Sequence, residues 1–251
     1  MKIFRNLLIS GALLAIGSTA HAVIINFQDI SDRQAPPPAD PLSYGESAWT
    51  TLSLNADFGI NVDITGTYYG SAAWAYLDSN NAGLGVCQSL NAAGAGSVNT
   101  KNPGSGSNLC TDPADDNVDD LTESLVFTAN ETVTIDRIWF NNNHDGDRSL
   151  VGDTITINGV GYTFTAADIS DIVTGSTSFL SGDTDFLFTF APLVLNPTES
   201  LTVGYYSGTA QRDEQFYVSG IEIRAVPEPG TLALLGAGLL GLGLTRRRRR
   251  A

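Results

Sequence analysis

Apolar and polar residues alternate in short runs along most of the chain, and Gly, Asn, Asp or Pro separates each run from the next. Period-two alternation rich in β-branched and aromatic residues predicts half-buried strands. On this pattern strands are expected over residues 23–27, 49–54, 58–65, 72–77, 124–128, 133–140, 186–190, 201–206 and 215–224. The clearest hairpin joins 154–157 to 160–164 through Asn158-Gly159, because Asn-Gly supplies the positive φ angles of a tight turn. One short helical stretch is expected within 165–173, where Ala166-Ala167-Asp168 opens a turn or two. About ten strands without a convincing amphipathic helix predict an all-β fold, an antiparallel β-sandwich of jelly-roll-like winding.

The two ends break this pattern. Basic Lys2 and Arg5 precede an apolar run over 7–16 and then Ala20-His21-Ala22. That order is a secretory signal, cut after Ala22, which sends the chain through the Sec export machinery. At the other end, Val226, Pro227, Glu228, Pro229 and Gly230 precede an apolar stretch over 231–244 and then Arg246, Arg247, Arg248, Arg249 and Arg250. Two prolines around an acid leave an extended, accessible segment. The arginines hold their end on the cytoplasmic side of a membrane. The apolar stretch is 14 residues against the ~20 a lasting span needs, which favours a transient inner-membrane stop. The string Gly236-Ala237-Gly238-Leu239-Leu240-Gly241 satisfies a dinucleotide fingerprint, but no strand precedes it, so its glycines read as packing positions of a membrane helix. The expected sandwich is thus flanked by an N-terminal signal helix and a short C-terminal transmembrane helix.

This tripartite ending resembles the PEP-CTERM sorting signal. The resemblance implies recognition and processing by an exosortase, in bacteria that make extracellular polysaccharide, and it covers about a tenth of the chain.

The expected domains are therefore a signal peptide over 1–22, a β-sandwich over 23–225 and the sorting signal over 226–251. Of the 27 acids, 26 fall within 23–225, together with six of the 13 bases, so this region carries about −20. Such a charge excludes nucleic acid as a partner and suits a solvated extracellular protein or one that gathers divalent cations. Cys87 and Cys110 are the only cysteines, and in an exported chain a pair is most simply a disulfide. It closes an insertion of 22 residues, twelve of them Gly, Ser or Asn.

Candidate chemistry is sparse. Asp112, Asp115, Asp116, Asp119, Asp120 and Glu123 place six acids in twelve residues with no base. Hard oxygens at that density either bind calcium or stay solvated, and both readings stand. A weaker calcium candidate is Asn141, Asn143, Asp145 and Asp147, alternate positions of a run with glycine sixth, but Gly152 occupies the twelfth place where a bidentate Glu belongs. Calcium is the one cofactor these residues suggest. Once the signal peptide is gone His144 is the only histidine, which argues against histidine zinc sites, and no Gly-x-Ser-x-Gly elbow occurs. Carboxylate pairs for glycoside hydrolysis are too many to single one out. Trp49, Tyr68, Tyr69, Trp74, Tyr76, Trp139, Tyr205 and Tyr206 serve either as core or as a sugar-stacking platform, and the two Tyr-Tyr pairs are the better binding candidates, because adjacent strand residues face opposite ways.

A second resemblance rests on Gly83-Leu84-Gly85-Val86-Cys87, followed by Asp115-Asp116-Asn117-Val118, Glu123, Leu125 and Phe127, and on Phe216-Tyr217-Val218-Ser219-Gly220-Ile221 before the tail. It is similar to a recurring group of PEP-CTERM exported β-sandwich proteins, which implies the fold and no activity. The expected protein is exported to the cell surface, outer envelope or extracellular polysaccharide matrix of a Gram-negative bacterium. It is sorted by exosortase, and its sandwich is noncatalytic and structural or adhesive. A calcium-assisted carbohydrate-binding module is the alternative, and a polysaccharide-acting hydrolase comes third.

Overall fold

The computed structural model describes residues 21–32, 44–91, 109–111, 116–118, 122–142, 149–172, 184–205 and 215–226. The expected signal helix and transmembrane helix lie outside them. Among the described residues no helix is long and apolar enough to cross a membrane.

Thirteen strands form one curled antiparallel sheet. They are β1 (Val23–Asn26), β2 (Ser47–Trp49), β3 (Leu52–Ser53), β4 (Val62–Tyr68), β5 (Ser71–Asp78), β6 (Gly83–Cys87), β7 (Glu123–Ala129), β8 (Val133–Asn141), β9 (Thr154–Ile157), β10 (Val160–Thr163), β11 (Phe186–Leu195), β12 (Ser200–Tyr205) and β13 (Tyr217–Ala225). Among the described residues two short helices, α1 (Phe27–Asp32) and α2 (Asn55–Phe58), and one 3-10 turn (Ala166–Asp168) accompany the strands.

The sheet bends at β5. The first residues of this strand pair with β4 (Tyr68↔Ser71 to Gly66↔Ala73), and the next pair with β6 (Trp74↔Cys87 to Asp78↔Gly83). The bend makes two leaves, β6-β13-β8-β11 in front and β4-β7-β12-β9-β10 behind. Four antiparallel pairs nest one inside the next, alternating between the leaves: β6 with β13, β7 with β12, β8 with β11, and β9 with β10 at the tip.

Alternation along the strands fills the space between the leaves. Leu125, Phe127 and Ala129 of β7, Val62 and Ile64 of β4, and Ile135, Ile138 and Phe140 of β8 join one buried core. The outermost strands of the two leaves are tied by aromatic rings. Tyr162 of β10 meets Phe188 of β11 edge-on at 4.5 Å, and Phe164 stands 5.6 Å from Phe186. His21–Ala225 forms one compact unit.

Most expected strands are present, with shifted ends. The stretch 58–65 begins later, because Asn55–Phe58 turns helical and closes on Gly59 in the left-handed region (φ 66). The run 23–27 stops at Asn26, whose side-chain oxygen accepts from the Asp29 N–H (3.0 Å) and so caps α1. β6 is not among the expected strands: all five of its residues are buried, so no alternation marks it. The predicted hairpin forms in register, with Asn158 at φ 50 and Gly159 at φ 75. Ala166–Asp168 makes a single 3-10 turn, capped by the Thr165 hydroxyl.

Candidate functional site: an acidic cleft beside the disulfide

The outward side of the front leaf carries a second, small apolar cluster of Ala48, Tyr76, Cys87 and Cys110, with Trp74 and Leu90 against it. Cys87 and Cys110 are bonded, their Cα atoms 5.8 Å apart. The base of the insertion is clasped like a strand pair, with Asn91 N–H donating to Leu109 O (2.9 Å) and Thr111 N–H to Ser89 O (2.9 Å).

Gly85 faces the same way as its register partner Tyr76. A Cβ on Gly85 would lie 2.0 Å from the carbonyl oxygen of Asp116 and 2.7 Å from Cα of Asn117. The missing side chain is therefore what lets the segment 116–118 lie on β6. That segment is held by Val86 N–H to Asn117 O (3.1 Å) and by reciprocal Val118 and Phe216 backbone bonds. The Asn117 amide donates to Gln215 Oε1 (2.9 Å).

Between this segment, the disulfide and the β5–β6 turn lies a cleft of about 280 Å³. Glu46, Asp78 and Asp116 line it with Tyr76, Asn80 and Asn91. Glu46 accepts from the Tyr76 hydroxyl (2.7 Å) and from Ser79 Oγ (3.2 Å). Asp116 accepts from the Tyr217 hydroxyl (2.9 Å). Burial first, then the Glu46 carboxylate, pushes the Tyr76 phenol far above its ordinary range, so it stays a donor at any physiological pH. The cleft thus presents fixed acceptors with ordered donors beside them, suited to hydroxyl groups or a cation.

Of the acids expected to gather calcium, Asp116 lines this cleft. Glu123 is buried on the inward row of β7 and accepts from the Gln88 amide (3.0 Å), and it is not among the lining residues. Asp112, Asp115, Asp119 and Asp120 lie outside the described residues, as do Asn143, Asp145 and Asp147. Among the described residues no three His, Cys, Asp or Glu side chains come together as a metal site.

The aromatic candidates divide. Tyr76 and Trp139 are buried. Tyr69 is 68 % exposed, and for a reason other than strand alternation: it occupies the β4–β5 turn at φ 49, with its ring edge-on to Tyr68 at 4.5 Å. Trp49, Trp74 and Tyr205 are half-buried, and Tyr206 lies outside the described residues.

A second polar cluster has no counterpart in the sequence pattern. Asn141, one of the weaker calcium candidates, is fully buried at the end of β8, where its amide donates to Ala82 O (2.7 Å). Beside it Asp185 is fully buried just before β11. Burial, opposed by bonds from Ile172 N–H and Asn141 and reinforced by the nearby Asp171, pushes the Asp185 carboxyl up to about 6. Gln28 of α1 reaches the same carboxyl. Residues 28 and 185 are too far apart in the chain for any local spacing to announce the contact.

No curated protein and no solved structure matches the chain. Residues 225–250 match the PEP-CTERM protein-sorting motif. The chain therefore passes from the last residue of β13 into the PEP-CTERM sorting motif that its C-terminal residues resemble, a motif that implies export and sorting by an exosortase.

Proposed function

We propose that the protein is a component of the cell surface, outer envelope or extracellular polysaccharide matrix of a Gram-negative bacterium, and that its sandwich serves structurally or adhesively, without turnover. The observation that carries this reading is the position of the sorting motif. It begins at the end of β13, so removal of the residues beyond the Pro-Glu-Pro segment touches no described strand and leaves His21–Ala225 whole. The four nested pairs that alternate between leaves support the jelly-roll-like winding read from the pattern. On this reading the Sec machinery and an exosortase are the processing partners. The apolar stretch enters the inner membrane only transiently, held by Arg246, Arg247, Arg248, Arg249 and Arg250.

Intact-mass spectrometry of protein from the native host's surface and medium tests it, comparing wild type with an exosortase-deficient strain. The expected mass lacks residues 1–22 and the segment beyond the Pro-Glu-Pro motif, the latter loss occurring only with exosortase present. A full-length tail in both strains would make this a membrane-tethered envelope protein instead.

A second reading, a calcium-assisted carbohydrate-binding module, is favoured by the cleft, whose carboxylates and amides match the hydroxyl groups of a sugar, and by the exposed ring of Tyr69. A glycan array run with calcium and with a chelator should then show calcium-dependent signals. Silence on every glycan, the host's own polysaccharide included, would end this reading.

A further inference from the structure

The cleft beside the disulfide has a hydrogen-bonding polarity of its own. The hydroxyls on and behind its wall direct their single protons onto its carboxylates: Tyr76 to Glu46 Oε1 (2.7 Å), Ser79 to Glu46 Oε2 (3.2 Å) and Tyr217 to Asp116 Oδ1 (2.9 Å). One N–H of the Asn91 amide is taken by Cys110 O (2.7 Å). Ionised carboxylates accept and cannot donate. The lining side chains therefore hold out mainly acceptors, from Glu46, Asp78 and Asp116, while the amides of Asn80 and Asn91 add groups of both kinds.

The charge is equally one-sided. No Lys, Arg or His is among the described residues that line the cleft. The described arginines, Arg137 and Arg224, pair with Glu222 (3.1 Å) and Asp136 (3.1 Å) on β13 and β8. A cleft lined by one sign of charge concentrates the opposite sign and repels its own, so uronate, sulfate and phosphate groups are disfavoured here. Although three carboxylates border the same 280 Å³, among the described residues no three acids come together to hold one metal ion. The occupant that fits is a molecule with its donors spread out. An ammonium group brings three protons and a positive charge to the carboxylates, and ring hydroxyls satisfy the amides. A bare polyamine has no acceptors for the amide protons, and a cleft of this size has room for one sugar residue.

We propose that the cleft binds an amino sugar with a free amine, a residue of a de-N-acetylated polysaccharide, with Glu46, Asp78 and Asp116 around the ammonium group and Asn80 and Asn91 on the ring hydroxyls. This ligand class deepens the carbohydrate-binding reading above and rests on it. Acetylation of the amine removes the charge and two of its three protons, so the cleft distinguishes the two forms of one sugar.

The test is isothermal titration calorimetry of the full chain, in one calcium-containing buffer, with a glucosamine oligosaccharide and with its fully N-acetylated form. The glucosamine form is expected to bind about tenfold more tightly or better, and its affinity to fall as salt is raised. Glu46→Gln keeps an acceptor for the Tyr76 hydroxyl and removes one charge, so it should reduce that preference about tenfold. Asp63→Asn, on β4 of the back leaf, should leave the preference unchanged. If Glu46→Gln fails to fold, Asp116→Asn, which keeps an acceptor for the Tyr217 hydroxyl, should show the same reduction. Equal affinity for the two oligosaccharides overturns the proposal, as does spermine binding as tightly as the glucosamine form, tighter binding of an oligogalacturonate, or the same loss of preference in Asp63→Asn. Binding of other glycans with none of the glucosamine form overturns this ligand and leaves the carbohydrate-binding reading in place, whereas silence on every glycan ends both.

Discussion

Gly85→Ala is expected to lower folding stability by about 3 kcal/mol or more, a large fraction of what a domain of this size has to lose. The reason is geometric and local. The added carbon would sit 2.0 Å from the Asp116 carbonyl and 2.7 Å from Asn117 Cα, and both obstacles are backbone. A flexible side chain can swing away, but this backbone is pinned by Val86 N–H to Asn117 O and by the paired Val118 and Phe216 bonds. To make room the segment must leave β6, breaking those bonds and the Tyr217–Asp116 contact together. Gly204→Ala is the comparison. Its nearest obstacles stand at 3.0 Å and 3.2 Å, so a shift of a few tenths of an ångström suffices and about 1 kcal/mol is expected. Urea unfolding of the two variants measures the difference. Equal losses would mean that segment 116–118 does not rest on β6 in solution, and the cleft it borders would fall with it.

The same glycine shows where the fold is legible in the sequence and where it is not. Gly-Leu-Gly-Val at 83–86 stands out as a motif without a mechanism, and nothing in it announces a strand. A strand buried on both sides shows no alternation, and two glycines argue against a strand by propensity. Gly83 has its own cause: it sits at φ 120, and a Cβ there would lie 2.7 Å from Val218 O. By contrast the β9–β10 hairpin is legible, because Asn158-Gly159 specifies both register and turn within two residues. α2 is hidden for an intermediate reason. Leu54, Ile60 and Val62 are all buried and make its flanks read as the strands 49–54 and 58–65, which leaves only a short gap for the helix, and the sign of a helix end is Gly59.

The polar sites follow the same logic. Acids are so frequent in 23–225 that frequency hides the few that turn inward. Asp78, Asp116, Glu123, Asp171 and Asp185 are all buried, and nothing in their neighbours distinguishes them from exposed acids. What selects them is long-range pairing: Tyr217 with Asp116 across 101 residues, Gln28 with Asp185 across 157. Such pairings are fixed by strand order, which alternation alone does not supply. The disulfide is the exception, because two cysteines in an exported chain admit a single pairing.

Removing that disulfide by Cys87→Ser with Cys110→Ser is expected to cost about 3 kcal/mol in the loop-entropy view, since the bond joins residues 23 apart in the chain. Two further effects act in opposite directions. The sulfurs pack with Ala48, Tyr76 and Leu90, and replacing them with hydroxyls puts polar groups into that cluster and adds to the loss. Against this, the Asn91–Leu109 and Thr111–Ser89 backbone bonds still clasp the base of the insertion, so part of the loop stays ordered without the bond. Denaturant unfolding of the double variant against wild type gives the sum. Limited proteolysis separates its parts: cutting confined to the insertion while the rest of the chain resists means that the loss is local to the clasp. A loss under about 1 kcal/mol would mean that the backbone clasp, not the covalent bond, holds Leu109 and Cys110 against the cleft. In that case reducing conditions should leave ligand binding at the cleft intact, whereas a covalently held wall predicts that reduction opens the cleft and weakens whatever it binds.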